Sequence, residues 1–411
     1  MTARISHARR SMVAVGSVLG ALTLTLSGAT PAPAAEDVRS KQWYLDALYA
    51  EKIWRKTTGE GIKVAVIDSG VNPDTPSLRG QVLEGVDATV EKGGSTDDTD
   101  GQGTTTSELI AGTGKGGGLK GLAPGAKIIP IRVPLLKHDE LPPGTWIERD
   151  PLYYAIRAAA DSDAQIIAVN IRNEHAIGNN AYQDSAAEYA ASKGKILIAG
   201  TGDNAKEGNK PLYPARERLV VGVSSVDKQG HVADYSQHGD YVHLAAPGVD
   251  IPRWCDTSFR HYCDGGGASA ATAIASASAA LIWSAHPDWT ANQVIRVLFE
   301  TASRNWGKDS RSSYLGHGIV RPISSTVRGK GSPGSPNINP LTHKDSMDAK
   351  SPSTSLSTQR PEKKEKGRVK AHEAGEEAND DSQPGVVAGI AAVVSALIAG
   401  VFYLTRKRRN S

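Results

Sequence analysis

Cysteine is nearly missing from this chain: Cys255 and Cys263 are the only two in 411 residues. His261 lies between them, but a Cys/His/Cys set still lacks the fourth ligand that a structural zinc takes. One disulfide across a short loop is therefore expected, as suits an exported protein, with no metal and no cofactor. A surplus of one charge is missing as well. Lys and Arg number 47 against 44 Asp and Glu, a net +3, and part of the basic excess sits at the two ends. Nothing remains to form a basic stripe, so nucleic acid is set aside as a partner. No internal repeat is present.

The ends are not globular. Arg4, His7, Arg9 and Arg10 precede an apolar run from Met12 to about Leu26, and Ala32-Pro33-Ala34-Ala35 follows. This is the order of a secretory signal peptide, assigned to residues 1–34. The Arg9-Arg10 pair is compatible with twin-arginine export, but ordinary Sec export is the expectation. Near the other end, Val386 to Leu404 is uncharged and apolar over about 19 residues, long enough to cross a hydrocarbon core of about 30 Å. Arg406-Lys407-Arg408-Arg409 comes directly after it. The positive-inside rule makes residues 406–411 a cytoplasmic tail, 384–405 a transmembrane helix, and everything before it extracytoplasmic.

Between the ends, strand-like and helix-like stretches alternate. Lys63 to Asp68, Lys127 to Val133, Ile166 to Ile171, Lys195 to Ala199 and Leu219 to Ser224 read as short strands. Their apolarity is continuous rather than alternating, which implies strands covered on both faces and hence a parallel sheet between helical layers. Asp150-Pro151 opens one helix, Ala181 to Lys193 forms another, and Ser269 to His286 reads as a long small-residue helix. Thr290 with Gln293 forms a capping box for the next. The globular part is assigned to residues 35–325. From 326 to 383 Ser, Pro, Gly, Lys and Glu dominate, aromatics vanish, and a flexible tether is expected.

Three runs carry the chemistry. Val64 to Val71 reads VAVIDSGV, Asp100 to Gly112 reads DGQGTTTSELIAG, and Gly266 to Ala273 reads GGASAATA. Their order and form resemble the Asp, His and Ser motifs of the subtilisin-type serine proteases, the subtilases, over about Gln42 to Arg304. The lead-in QWYLDALYAEKIW from Gln42, the lack of a separately folding pro-domain, the polar linker and the C-terminal span resemble the mycosin branch, which is associated with type VII secretion. The resemblance implies a subtilisin-like three-layer α/β/α fold with a mainly parallel sheet. It also implies a bacterial cell-membrane location, and secretion-system membrane proteins or a protein or peptide ligand as partners. Asp68 then holds the position of the carboxylate that orients an imidazole, and Ser269 that of the nucleophile.

The departures bear on activity. Gln102 stands where the motif G-H-G-T carries its His, and a carboxamide cannot take a proton from a serine hydroxyl near neutral pH. Glu108 replaces a small residue at a place where the helix usually packs closely. His231, His238, His243 and His261 all fall in the second half of the domain, and none is expected to substitute. In the run Ile198-Ala199-Gly200-Thr201, Thr201 takes the place of the family's oxyanion Asn, with Asn204 three residues on. In the segment the family uses to pair with extended peptide, Asn170-Ile171-Arg172-Asn173-Glu174, charged side chains at Arg172 and Glu174 replace small ones. These residues point to a membrane-anchored pseudoprotease acting by binding. The alternatives are an active endopeptidase with a non-standard base, and a peptide-capture module using the altered groove.

Overall fold

The computed structural model describes residues 38–89, 92–134, 151–171, 181–308 and 310–343. The signal peptide, Arg172, Glu174 and the expected span at 386–404 lie outside them. Short helices α1 (Val38–Lys41), α2 (Trp43–Ala47) and α3 (Ala50–Trp54) lead into β1 (Lys63–Asp68). There follow β2 (Val86–Asp87), α4 (Gln102–Ala111), β3 (Lys127–Arg132), α5 (Pro151–Asp161), β4 (Ile166–Val169), α6 (Ala181–Ser192), β5 (Ile196–Gly200), β6 (Val220–Val226) and β7 (Leu244–Pro247). A small hairpin of β8 (Arg253–Trp254) and β9 (Tyr262–Cys263) precedes α7 (Ala268–Ala285), α8 (Ala291–Thr301) and α9 (Ile323–Thr326).

Seven strands form one sheet in the order β2-β3-β1-β4-β5-β6-β7, with every neighbouring pair parallel. Residues alternate along each strand between two cores. Val64, Val66, Ile166, Ile196, Ile198 and Val221 face the side where α4, α7 and α8 pack. Ala65, Ile67, Ile167, Val169 and Leu197 face the side of α5 and α6. Both faces are covered, and the expected three-layer α/β/α architecture is what forms. Successive strands are added on one side of β1 up to β3 and on its other side from β4 on. The carboxyl end of β1 is therefore a topological switch point, the usual place for a cleft in such sheets.

Helix α7 runs through the middle of one layer and is buried almost end to end, from Ala270 to Trp283. Among the described residues it is the helix long and apolar enough to cross a membrane, but its apolarity is spent on the domain core. Helix α8 opens with the capping box expected at Thr290 and Gln293.

The expected boundary at 325 moves. Arg296 on α8 donates to the carbonyls of Ser335 and Ile338 at 3.0 and 2.7 Å, and the backbone of Ser332 donates to Glu300 at 2.7 Å. Residues 327–343 therefore lie as a strap against α8. Composition hid this because much of the strap's attachment runs through its backbone carbonyls, with Leu341 as the side chain that packs on the core.

Candidate active site

Asp68 is the last residue of β1, and the strand's burial carries its carboxyl fully out of solvent. Such a group survives only with donors around it. Oδ1 accepts from the backbone of Ser69 at 2.9 Å, and Oδ2 accepts from Thr106 Oγ1 and Asn170 Nδ2, each at 3.0 Å. Burial pushes its pKa up to about 7, hydrogen bonds from Asn170 and Ser69 hold it down, and the nearby Asp98 and Asp100 push it further up.

Helix α4 is brought to this carboxylate by a close approach. A Cβ on Gly103 would sit 1.9 Å from the carbonyl oxygen of Gly70 and 3.1 Å from Asp68 Cβ, so only glycine lets the helix start here. Asp98 ties the loop down, accepting from Ser69 Oγ at 2.7 Å, Gly101 N at 2.9 Å and Thr104 N at 2.8 Å. The first helical residue is Gln102. Its amide Nε2 donates to Asp68 Oδ1 at 3.2 Å, the contact an imidazole N–H would otherwise make. The carboxamide reproduces the orienting hydrogen bond and supplies no basic nitrogen behind it.

Ser269 is the second residue of α7, half-buried, and its hydroxyl makes no hydrogen bond among the described residues. It lines a cleft of about 170 Å³ together with Gln102, Asp100, Thr105, Ile251 and Arg253. That is room for one side chain of a ligand. Asp68, Gln102 and Ser269 are thus brought to one place, as their motifs imply.

No histidine lines the cleft among the described residues. His243 is buried, its Nδ1 accepts from Gly222 N at 3.1 Å, and burial pushes its pKa down to about 3. His231 pairs with Asp227 at 3.3 Å, and His238 stacks on Tyr314 at 4.4 Å. His261 is exposed on the hairpin loop.

Two expected roles are corrected. Thr201 is fully buried and its Oγ1 donates to the carbonyls of Val223 and Gln237 at 3.3 and 3.2 Å, so its hydroxyl cannot serve Ser269. Asn204 is turned away too, its Oδ1 accepting from Gln237. The residue that reaches the start of α7 is Asp203, which the sequence reading missed. Its Oδ1 accepts from Ala268 N at 2.8 Å, and its Oδ2 lies 3.0 Å from where a Cβ on Gly267 would be. The signal was the acid two places beyond Thr201, reached because Gly202 at φ +112 turns the chain. Asn170 is the second correction. Its amide is committed to Asp68 and to Thr106 Oγ1 (2.6 Å), and it is not among the residues that line the cleft beside Ser269. Arg172 and Glu174 fall outside the described residues.

Glu108 has a structural partner set. Its carboxylate is fully buried and accepts from Thr75 Oγ1 and Tyr262 Oη, each at 2.7 Å. Burial pushes its pKa up to about 7 against those hydrogen bonds. Tyr262 stacks on Trp254 at 3.9 Å, and the Trp254 backbone donates to Thr105 Oγ1 at 3.1 Å. Cys255 and Cys263 form the expected disulfide, with an S–S distance of 1.95 Å, so neither sulfur is a free thiolate for a metal. The acid on α4 thereby pins the disulfide hairpin, which carries Arg253 into the cleft wall.

Residues 59–318 match the model of the subtilase family, the S8 peptidases. Thermitase of Thermoactinomyces vulgaris is 31% identical over 283 residues, 67% of this chain and 95% of thermitase. Among solved structures, the mycosin MycP3, a protease from the type VII (ESX-3) secretion system, aligns with a TM-score of 0.58 at 27% identity over 69% of this chain and 88% of that one. A chain of the periplasmic assembly from the ESX-5 inner membrane complex aligns at 0.61 and 25% identity, over 72% and 86%.

Proposed function

This chain belongs to the subtilase family, and from that premise we propose that it is a pseudoprotease, anchored to the bacterial cell membrane with its folded domain outside, serving a structural or regulatory role in a type VII-like secretion complex. The observation that carries the loss of catalysis is the Gln102 amide bonded to Asp68 at 3.2 Å in the place of the general base. Peptide hydrolysis by this fold needs a group that takes the Ser269 proton and returns it to the leaving amine. A carboxamide does neither. The expected span at 384–405 and the likeness to MycP3 and to the ESX-5 periplasmic assembly support the membrane and secretion part of the reading. Retained burial of Asp68 then serves the fold: its donors knit β1, α4 and the end of β4 together.

The test is genetic. Deletion of the protein is expected to stop export of the secretion system's substrates, and a chromosomal Ser269→Ala substitution is expected to leave export at the parental level. Loss of export in Ser269→Ala as complete as in the deletion would show that proteolysis is the function.

A further inference from the structure

The start of α7 offers backbone N–H groups and a partial positive charge directly beside Ser269. In acyl transfer that is where the developing oxyanion is held, and the holding groups must be donors. Asp203 puts an acceptor there. Its Oδ1 takes the Ala268 N–H at 2.8 Å. Its Oδ2 lies over Gly267, whose missing side chain and φ of +107 allow the approach. An ionised carboxylate donates nothing and repels a second negative charge. We infer that Asp203 inverts the polarity of the pocket beside Ser269 and is a second block on acyl transfer, independent of Gln102, so that restoring a histidine at 102 does not by itself restore the site.

This inference rests on the pseudoprotease reading, and it has a bland rival: an acid near a helix N-terminus is stabilising wherever it occurs. The isosteric Asp203→Asn separates the two. Asn keeps an oxygen for the Ala268 N–H and puts an N–H₂ donor where Oδ2 now lies over Gly267. The cap survives while the polarity is reversed.

The experiment uses the full chain in four forms: wild type, Asp203→Asn, Gln102→His, and Gln102→His with Asp203→Asn. Each is compared with its own Ser269→Ala blank. The probe is an alkyl fluorophosphonate. Ser269 Oγ bonds to phosphorus, fluoride leaves, the serine proton passes to the new imidazole, and the phosphoryl oxygen carries the negative charge. The double variant is expected to label about 10²–10³-fold faster than Gln102→His alone, the penalty that loss of one such donor carries in subtilisin, a member of this family. The gain is expected in the maximal labelling rate rather than in the probe concentration giving half of it, because the donor acts on the charge formed in the transition state. Equal rates for the double variant and Gln102→His, at any level including that of the blanks, overturn the inference. Labelling of the wild type above its blank is a different failure, and it would overturn the pseudoprotease reading instead.

Discussion

Replacing Glu108 by Gln is expected to change how stability depends on pH. The Glu108 carboxyl is fully buried between Thr75 and Tyr262, and burial raises its pKa from 4.5 to about 7. Between those values the folded state binds more protons at this group than the unfolded state does. Stability therefore falls as pH rises through that window, and the cost is complete above pH 7. A rise of about 2.5 pH units at ~1.36 kcal/mol each makes that cost about 3 kcal/mol for one group. Asp68, raised from 3.8 to about 7, acts in the same sense in both proteins and cancels in the comparison. Below pH 5 the protonated acid and the amide both offer one acceptor and a donor to the two hydroxyls, so the two proteins should be about equal. At pH 8 the Gln variant should be the more stable by up to about 3 kcal/mol. Urea unfolding of both proteins at pH 5 and pH 8 reads this directly. A stability difference that does not change with pH, or one that moves in favour of the wild type as pH rises, refutes the reasoning.

Two further outcomes follow from the same packing. Removing the disulfide by Cys255→Ser with Cys263→Ser opens a loop closed over a separation of 8 residues, and should cost about 2–3 kcal/mol of stability, read as a lower urea midpoint. Arg296→Ala removes the donors that hold the carbonyls of Ser335 and Ile338, and should make residues 327–343 cleave faster in limited proteolysis while the domain core stays resistant. Unchanged cleavage there would mean the strap does not depend on Arg296.

The sheet was legible because its strands are buried on both faces: KVAVID and KIIPIR read as strands with no further help. Strand β7, LAAP, was missed, being only four residues of small side chains ending at a proline. Helix α4 has no apolar stripe to find, since Gly103 through Ala111 are all buried, the polar ones among them included. Its place came from the motif and not from periodicity. The site was legible as far as motif spacing holds. Asp68, Gln102 and Ser269 come together, whereas Asp203 rather than Thr201 reaches the start of α7, which only the path of the chain through Gly202 reveals. Asn170 was misplaced for another reason. The family resemblance placed its segment in the groove, and only the packing of α4 shows that the buried carboxylate takes its amide.

The claim that matters most is that Ser269 is not an activated nucleophile in the natural sequence. The direct measurement is fluorophosphonate labelling of the full-length protein beside its Ser269→Ala variant, with a competent subtilase as the positive control. The wild type is expected to label no faster than Ser269→Ala while the control labels fully. Rapid labelling of the wild type that disappears in Ser269→Ala would contradict it, because some group other than Gln102 would then have to be taking the serine proton.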